Sequence, residues 1–469
     1  MSLQSALFTG VSGLTTYANA ISIIGNNIAN VNTPGFKESR GNFSDILSQS
    51  SGSSGNLQIG RGVRMTGVDM LFTQGSFQST SLGSDLAIDG EGFFMVRDPA
   101  TNALLYTRTG NFTLDREGRL VNAQGMIVQG FDVDTNGNAL PFVRDIEING
   151  QAFPPKVTAN ATINLNLNSA SEPILDPNTG ELVAFDPDDP VGTSNFSTAL
   201  SIHDSFGNPR TVEVYFQKTD GNAWRWLMTG RENDIDGMSG TGLVTLASGD
   251  MTFTDTGALD TIVTTDRIDY ASGDLEALTE QEQGASIIFN FADGAQVGQT
   301  VAFDFGTPRQ IYDSTTDDFV ANAAATSAFD GTTQFGAASS TLFQSQDGFG
   351  SGVLQSFSVD ELGIIRGLFS NGQTLDLLQV ALAKFPSNSG LNLIGKNLFG
   401  QSQLSGDPVV SAPGSSGLGA IVSNALEISN VDLSSQFVEL IRTQQAFQAN
   451  ARVITTGDEL LTEVVNLKR

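Results

Sequence analysis

The chain of 469 residues contains no cysteine, a single histidine and two tryptophans, and its first 36 positions carry no charged side chain. Without cysteine there are no disulfide staples and no thiolate metal sites, and nothing that would misoxidise outside the cell. The lone His203 confines any imidazole chemistry to one position. Basic residues are scarce, Lys+Arg 23 against Asp+Glu 51, for a net charge of −28. Such a chain repels phosphates and anionic lipid heads, so nucleic acid is excluded as a partner. Long apolar runs are also missing. Asn19, Asn26, Asn27 and Asn30 interrupt the uncharged N-terminal stretch, which has no basic leader. Neither a cleaved secretory signal nor membrane insertion is expected.

What is present is unevenly distributed. Residues 1–80 net +1, residues 361–424 balance, and residues 425–469 net −2, so 81–360 carry 12 basic and 39 acidic side chains and a net −27. The ends are nearly neutral and the middle is the solvated part.

Both ends are periodic. Leu3, Leu7, Gly10, Leu14, Tyr17, Ile21, Ile24, Ile28 and Val31 alternate steps of four and three, the heptad seam of a helix. Pro34-Gly35 stops it, confining the helix to about 3–32. Leu433, Phe437, Leu440, Gln444, Phe447, Ala451, Ile454, Asp458, Leu461 and Val465 repeat the pattern, with Asn430 or Asp432 as N-cap. Val438, Ile441 and Val464 widen this stripe beyond what two helices need. Two seams more than 400 residues apart with one period predict pairing with each other, and the surplus apolar width predicts packing on further copies of the chain. The expected interface residues are Leu3, Leu7, Leu14, Ile21, Ile28, Phe437, Leu440, Phe447, Ile454 and Leu461. Small residues at Gly10, Gly13, Ala18 and Gly25 permit close helix approach.

Between the helices the pattern changes after a Ser/Gly-rich link at 48–56. Short apolar runs bounded by turn signals predict strands at 93–96, 104–108, 112–114, 120–121 and 125–131. A meander follows at 198–203, 211–218 and 223–228, with hairpins at 286–305 and 354–369. Phe (31) far outnumbers Trp (2) and Tyr (5), which suits small β cores needing apolar bulk without a polar tip. The fold class expected is mainly β with α-helical termini, the β domains sandwich-like or barrel-like.

Several motifs fail on inspection. Asp132-Val-Asp134-Thr-Asn136-Gly137 copies half an EF-hand loop, but Val143 stands where a bidentate glutamate belongs; a hairpin turn is the better reading. His203 beside Asp204 has no nucleophile elbow or zinc-ligand pair with it. Gly90-Glu-Gly92 and Gly348-Phe-Gly350-Ser-Gly352 lack the strand-then-helix setting of a phosphate loop. Carboxylate pairs for glycosidase chemistry carry no specificity among 51 acidic residues, which leaves an exported acidic hydrolase as the enzymatic alternative. No catalytic residue, cofactor or metal is expected.

The termini resemble a known family. Ser5-Ala-Leu-Phe-Thr-Gly-Val-Ser-Gly-Leu14 followed by Gly25-Asn-Asn-Ile-Ala-Asn-Val-Asn-Thr-Pro-Gly-Phe-Lys37 is similar to the N-terminal signature of bacterial flagellar rod and hook proteins. Ser429-Asn-Val-Asp-Leu-Ser-Ser-Gln-Phe-Val-Glu-Leu-Ile441, Gln445-Ala-Phe-Gln-Ala-Asn-Ala-Arg-Val-Ile454 and Val464-Val-Asn-Leu-Lys-Arg469 resemble the matching C-terminal signature. Residues 67–92, 200–218 and 363–399 are similar to the hook members in particular, and length favours them over the shorter distal rod proteins, the structural alternative.

The resemblance implies a nested multidomain chain, with β domains inserted between terminal coiled-coil helices: 1–35 with 425–469 as the helical domain, 36–75 with 386–424 as a connection, 76–150 with 346–385 as an inner β domain, and 151–345 as an outer acidic one with room for a subdomain in 230–345. It implies a curved hollow tube of identical subunits acting as a universal joint, with glycine-rich links at 50–62 and 405–419 that allow sliding. It also implies the flagellar rod, hook cap, hook-length ruler and hook-filament junction proteins as partners. The expected location is the flagellum on the cell exterior, reached through the flagellar type III export apparatus without a cleaved signal.

Overall fold

A computed structural model describes residues 3–46, 60–134, 139–148, 152–238, 240–313, 318–325 and 329–466. The chain is mostly β with one long helix near each end, α1 Leu3–Ala29 and α2 Leu433–Asn466. It divides into two compact units, 1–151 with 354–369 and 373–469, and 152–353 with 370–372.

In the first unit a 13-stranded sheet system draws strands from both halves of the sequence. Phe93–Arg97 pairs with Leu104–Thr107, Ile127–Val133 and Leu382–Lys384. Leu398–Gly400 adds to Leu104–Thr107, and Val409–Ser411 to Leu382–Lys384. The core between them is aromatic: Phe93, Tyr106, Phe385 and Phe399 are buried with Met95 and Ala383, and Tyr106 meets Phe385 edge to face at 4.7 Å. Residues 386–424 were expected to be a connection with a sliding link at 405–419. They supply the strands Asn392–Gly395, Leu398–Gly400, Val409–Ser411 and Ala420–Ser423. Gly414 and Gly417, at φ of 73° and 74°, serve the turns that lead from Val409–Ser411 to Ala420–Ser423, which pairs with Leu86–Asp89. The link expected at 48–56 and most of that at 50–62 lie outside the described residues.

The second unit holds a six-stranded antiparallel meander from Phe196–His203 to Leu275–Gln283 and a five-stranded sheet centred on Asn160–Asn168. Alternating inward side chains of both sheets share one core. Trp224 and Trp226 lie wholly inside it, and the Trp226 indole N–H donates to Val263 O at 3.2 Å. A Cβ on Gly249 would stand 2.6 Å from the Trp226 ring and 2.0 Å from Val263 O, so only glycine admits the ring there. The stretch 230–345, expected to leave room for a subdomain, extends the meander and supplies most of the second sheet, lining the same core. Asp347 ties this sheet's edge. Burial would raise its carboxyl, but the N–H groups of Asn160 and Ala159 and the Lys156 ammonium outweigh that and hold it at about 2.

The closure of the first unit depends on a buried charge cluster. Lys37 Nζ donates to Glu427 Oε1 at 2.6 Å and to Thr73 O at 2.8 Å, and both charged side chains are fully covered. Gly75 N–H donates to the same Oε1 at 2.8 Å, while Arg108 Nη1 faces Glu427 Oε2 at 3.6 Å. Arg108 lies over the Phe93 ring at 5.3 Å. Burial lowers the pKa of both the Lys37 ammonium and the Arg108 guanidinium, and Glu427 opposes that shift in each. The backbone follows the same seam: Gly35 N–H donates to Glu427 O, Phe77–Ser79 pairs with Ala425–Glu427, and Leu86–Asp89 with Ala420–Ser423.

Two outcomes are expected. Asp347 is held below its ordinary 3.8, so its stabilisation is complete above about pH 4 and fades as the pH falls towards 2; Asp347→Asn gives a shallower acid-side loss of stability in pH-dependent thermal melts. Glu427→Gln leaves two buried cations without their carboxylate and costs about 3–5 kcal/mol in denaturant unfolding of the first unit, whereas an exposed control, Glu459→Gln, changes little.

Candidate assembly interface

Helix α1 carries its own polar satisfaction. The hydroxyls of Thr9, Thr15 and Thr16 donate back to Ser5 O, Val11 O and Ser12 O. It ends at Ala29, three residues before the expected limit, and turns of Asn30–Pro34 lead to Gly35 at φ 67°. A Cβ on Gly35 would lie 2.8 Å from Thr109 N, so glycine is required there. Of the two expected caps of α2, Asp432 takes the role, accepting from Ser435 N–H at 3.0 Å. Asn430 instead accepts from Glu38 N–H and donates to Leu71 O. By length and composition Ser5–Ala29 would suffice to cross a membrane; here it packs on α2.

The two helices pair antiparallel. Ile454 lies at Gly10, Asn450 at Gly13 and Leu7 at Gly457, where an added Cβ would come within 3.0, 2.5 and 2.7 Å. At the other end Asn27 Nδ2 donates to Gln436 Oε1 at 3.1 Å and Gln436 Nε2 to Glu38 Oε1 at 2.8 Å. The face turned to the partner is therefore Gly10, Gly13, Thr16, Ala20, Ile24 and Asn27 on α1, and Gln436, Thr443 and Gly457 on α2. Gly10 and Ile24 belong to the apolar seam read in the sequence, and the other positions of this face lie one residue before it. Small and amide side chains let the backbones approach, Leu7 and Ile454 each seat against a glycine of the other helix, and most of the remaining bulky residues lie at the flanks. Ala18 and Gly25, also expected at the close approach, are exposed in the single chain.

The expected interface residues sort accordingly. Leu7, Leu14, Ile21, Ile28, Leu440, Phe447 and Ile454 are half-buried at the flanks of the pair, whereas Phe437 is 50% and Leu461 39% exposed; the side chain of Leu3 lies outside the described residues. Phe8 is 72% exposed and Val438 59%, with Val11, Ile441, Val453 and Leu460 also open. A helix pair with an apolar stripe left in solvent along both members has the form of an unfilled protein interface.

A hairpin braces α1. Ser39–Asp45 pairs with Val63–Met70, Thr16 Oγ1 donates to Val63 O, and the Phe43 ring stands 6.2 Å from Tyr17. Neither strand was foreseen: Ser39–Asp45 is polar, and in Val63–Met70 the alternation of Val63 with Met65 shifts phase at Gly67 before Val68 and Met70. The charge cluster was missed as well; its only local sign is that Lys37 is the first charged residue after 36 neutral ones.

The rejected motifs occupy structural positions. Asp132 pairs with Arg144 at 2.7 Å across the hairpin of Ile127–Val133 and Ala139–Asp145, whose turn lies outside the described residues. His203 ends a strand, its backbone N–H donating to Thr158 Oγ1, and burial lowers its pKa. The neighbouring Asp204 accepts from Phe206 and Asn208 N–H and pairs with Arg210. Gly90 and Gly92 sit in a turn at φ 117° and 129°.

Comparisons with known proteins agree with this anatomy. Family models match residues 7–37 (flagella basal body rod protein), 87–166 (flagellar hook protein FlgE/F/G D1 domain), 164–349 (flagellar basal body protein FlaE D2 domain) and 422–467 (flagellar basal body rod FlgEFG protein C-terminal). The flagellar hook protein FlgE of Treponema pallidum is 33% identical with 100% of both chains covered, and that of Borreliella burgdorferi 34% with 99% of this chain and 100% of the relative. The hook protein of Salmonella typhimurium is 30% identical over 98% of each. A solved Helicobacter pylori hook protein covers 75% of this chain and 100% of its own at 14% identity and a TM-score of 0.44. With full-length relatives above 30% identity and both terminal signatures matched, the chain belongs to the flagellar hook protein family.

Proposed function

We propose that this chain is the repeating subunit of a flagellar hook, a structural protein that polymerises into a curved tube and works by mechanics. The observation that carries this reading is the unfilled apolar stripe on α1 and α2. Phe8, Val11, Phe437, Val438 and Ile441 stay in solvent in one copy, and burying each against a neighbour contributes about 1.5–3 kcal/mol before the cost of association. Leu7, Leu14, Ile21, Ile28, Leu440, Phe447, Ile454 and Leu461 flank that stripe and complete the contact.

The helices act as the persistent joint, and bending into a universal joint falls to weaker contacts elsewhere. Assembly rather than membrane insertion suits α1, because the helix it packs on exposes Glu439, Arg442, Arg452, Asp458 and Glu459. The family's structural role supports a function without catalysis, and the chemistry of the failed motifs supports it too. Rod, cap, ruler and junction proteins, and passage through the type III export apparatus to the cell exterior, complete the proposal.

Deletion of residues 1–30 is expected to abolish polymerisation, scored by electron microscopy and sedimentation; a truncated chain that still forms tubes refutes the helix-driven model. Curved, polymorphic tubes are expected from the intact chain, and straight rigid ones would favour a distal-rod role.

A further inference from the structure

We propose that a cavity beside the helix pair receives Phe8 and Val11 of a second copy of this chain; the inference rests on the assembly reading above and specifies its register. The cavity measures about 390 Å³ and lies between α1, the strand Ser39–Asp45 and the first turns of α2. Ala20, Ile24 and Phe43 supply its apolar wall, and Glu38, Arg40 and Glu439 its polar one. It exists because small residues line the helix pair at this level, Ala20 facing Thr443, while the hairpin strand holds the third side. A space this size far exceeds the ~10–15 Å³ that one water needs.

The choice of occupant follows from exposure and charge. Phe8 and Val11 project on one face of α1 at i and i+3, they are 72% and 50% exposed, and no charge lies within the first 36 residues. On the helix pair itself, the open apolar residues Leu460 and Leu461 at the far end of α2 are instead set among Asp458, Glu459 and Glu463. Seating them would bring those carboxylates against Glu38 and Glu439, a like-charge juxtaposition that rejects them. The end of α1 brings no charge of its own to the contact.

The same chain cannot fill its own cavity. Phe8 and Ile24 are sixteen residues apart on one continuous helix, a separation of about 24 Å along the axis. The donor and acceptor surfaces are also different patches, so each copy offers one of each. Such a heterologous contact propagates from copy to copy instead of closing as a two-fold dimer.

The absence of cysteine makes the test clean. A chain carrying Phe8→Cys with Glu439→Cys is polymerised and mildly oxidised. An internal disulfide would need the two Cα atoms within about 7 Å, which the helix forbids, so every bond formed joins two copies. The expected result is a ladder well beyond dimer on a non-reducing gel, with single-cysteine variants stopping at dimer. Tubes that form without a ladder overturn this register and leave the assembly reading intact; a wild-type chain that forms no tubes overturns both. If the double variant fails to polymerise, Phe8→Trp decides. Trp224 and Trp226 are buried in the single chain and give a constant background. Protection of the new indole from acrylamide on polymerisation supports the docking, and unchanged quenching refutes it. Phe8→Ala should raise the critical concentration roughly tenfold or more.

Discussion

Everything in the first unit depends on one carboxylate. Glu427 meets Lys37 from the N-terminal segment and Arg108 from the sheet, and all three are taken out of water. A buried ion pair gains little over an apolar substitute but is costly to break, so the arrangement acts less as glue than as a requirement. The two ends of the chain must arrive together or leave charge stranded. Around it the backbone has little freedom: Gly75 N–H shares the same oxygen, Gly35 bonds the Glu427 carbonyl, and two short strand pairs run beside it. The exit of α1 and the entry of α2 are thereby fixed within a few residues of each other.

That fixed origin explains the helix pair. Asn27, Gln436, Glu38 and Asn430 form a chain of amide and carboxylate bonds just beyond the charge cluster, setting the rotation of both helices. With that rotation given, Gly10, Gly13 and Gly457 fall at the contact. The closest approach is then made at glycines, against which Leu7 and Ile454 seat, and most of the other large side chains fall at the flanks and the outside. A monomer that pairs its helices mostly through glycine, threonine and amide side chains leaves Phe8, Phe437, Val438 and Ile441 open. This is the physical content of a subunit whose function is to be assembled.

The second unit is built on a different plan. Its two sheets close over a conventional core of Trp224, Trp226, Phe216, Phe289 and Phe305, and its many carboxylates are managed locally. Arg210 collects Asp204, Asp234 and Asp293, and Asp347 is held by two backbone N–H groups and Lys156. The acidity noticed first in the composition thus costs this fold little, because turns and edge strands absorb it while the interior stays apolar.

The sequence by itself determined the two terminal helices and most of the strands on either side of the tight turns, and narrowed the α2 cap to Asn430 or Asp432. These are local matters: periodicity, capping and turn chemistry act over fewer than ten residues and can be read from them. The family signatures were legible for the same reason, being contiguous. Only the tertiary structure decided which face of α1 meets α2, why Lys37 and Glu427 belong together, and that the stretch 386–424 is woven into a sheet. Each depends on partners far apart in the chain. A hydrophobic seam states that a face will be covered, but whether by the same molecule or another is settled by the hydrogen bonds and close approaches that orient the helix, and those come from residues hundreds of positions away.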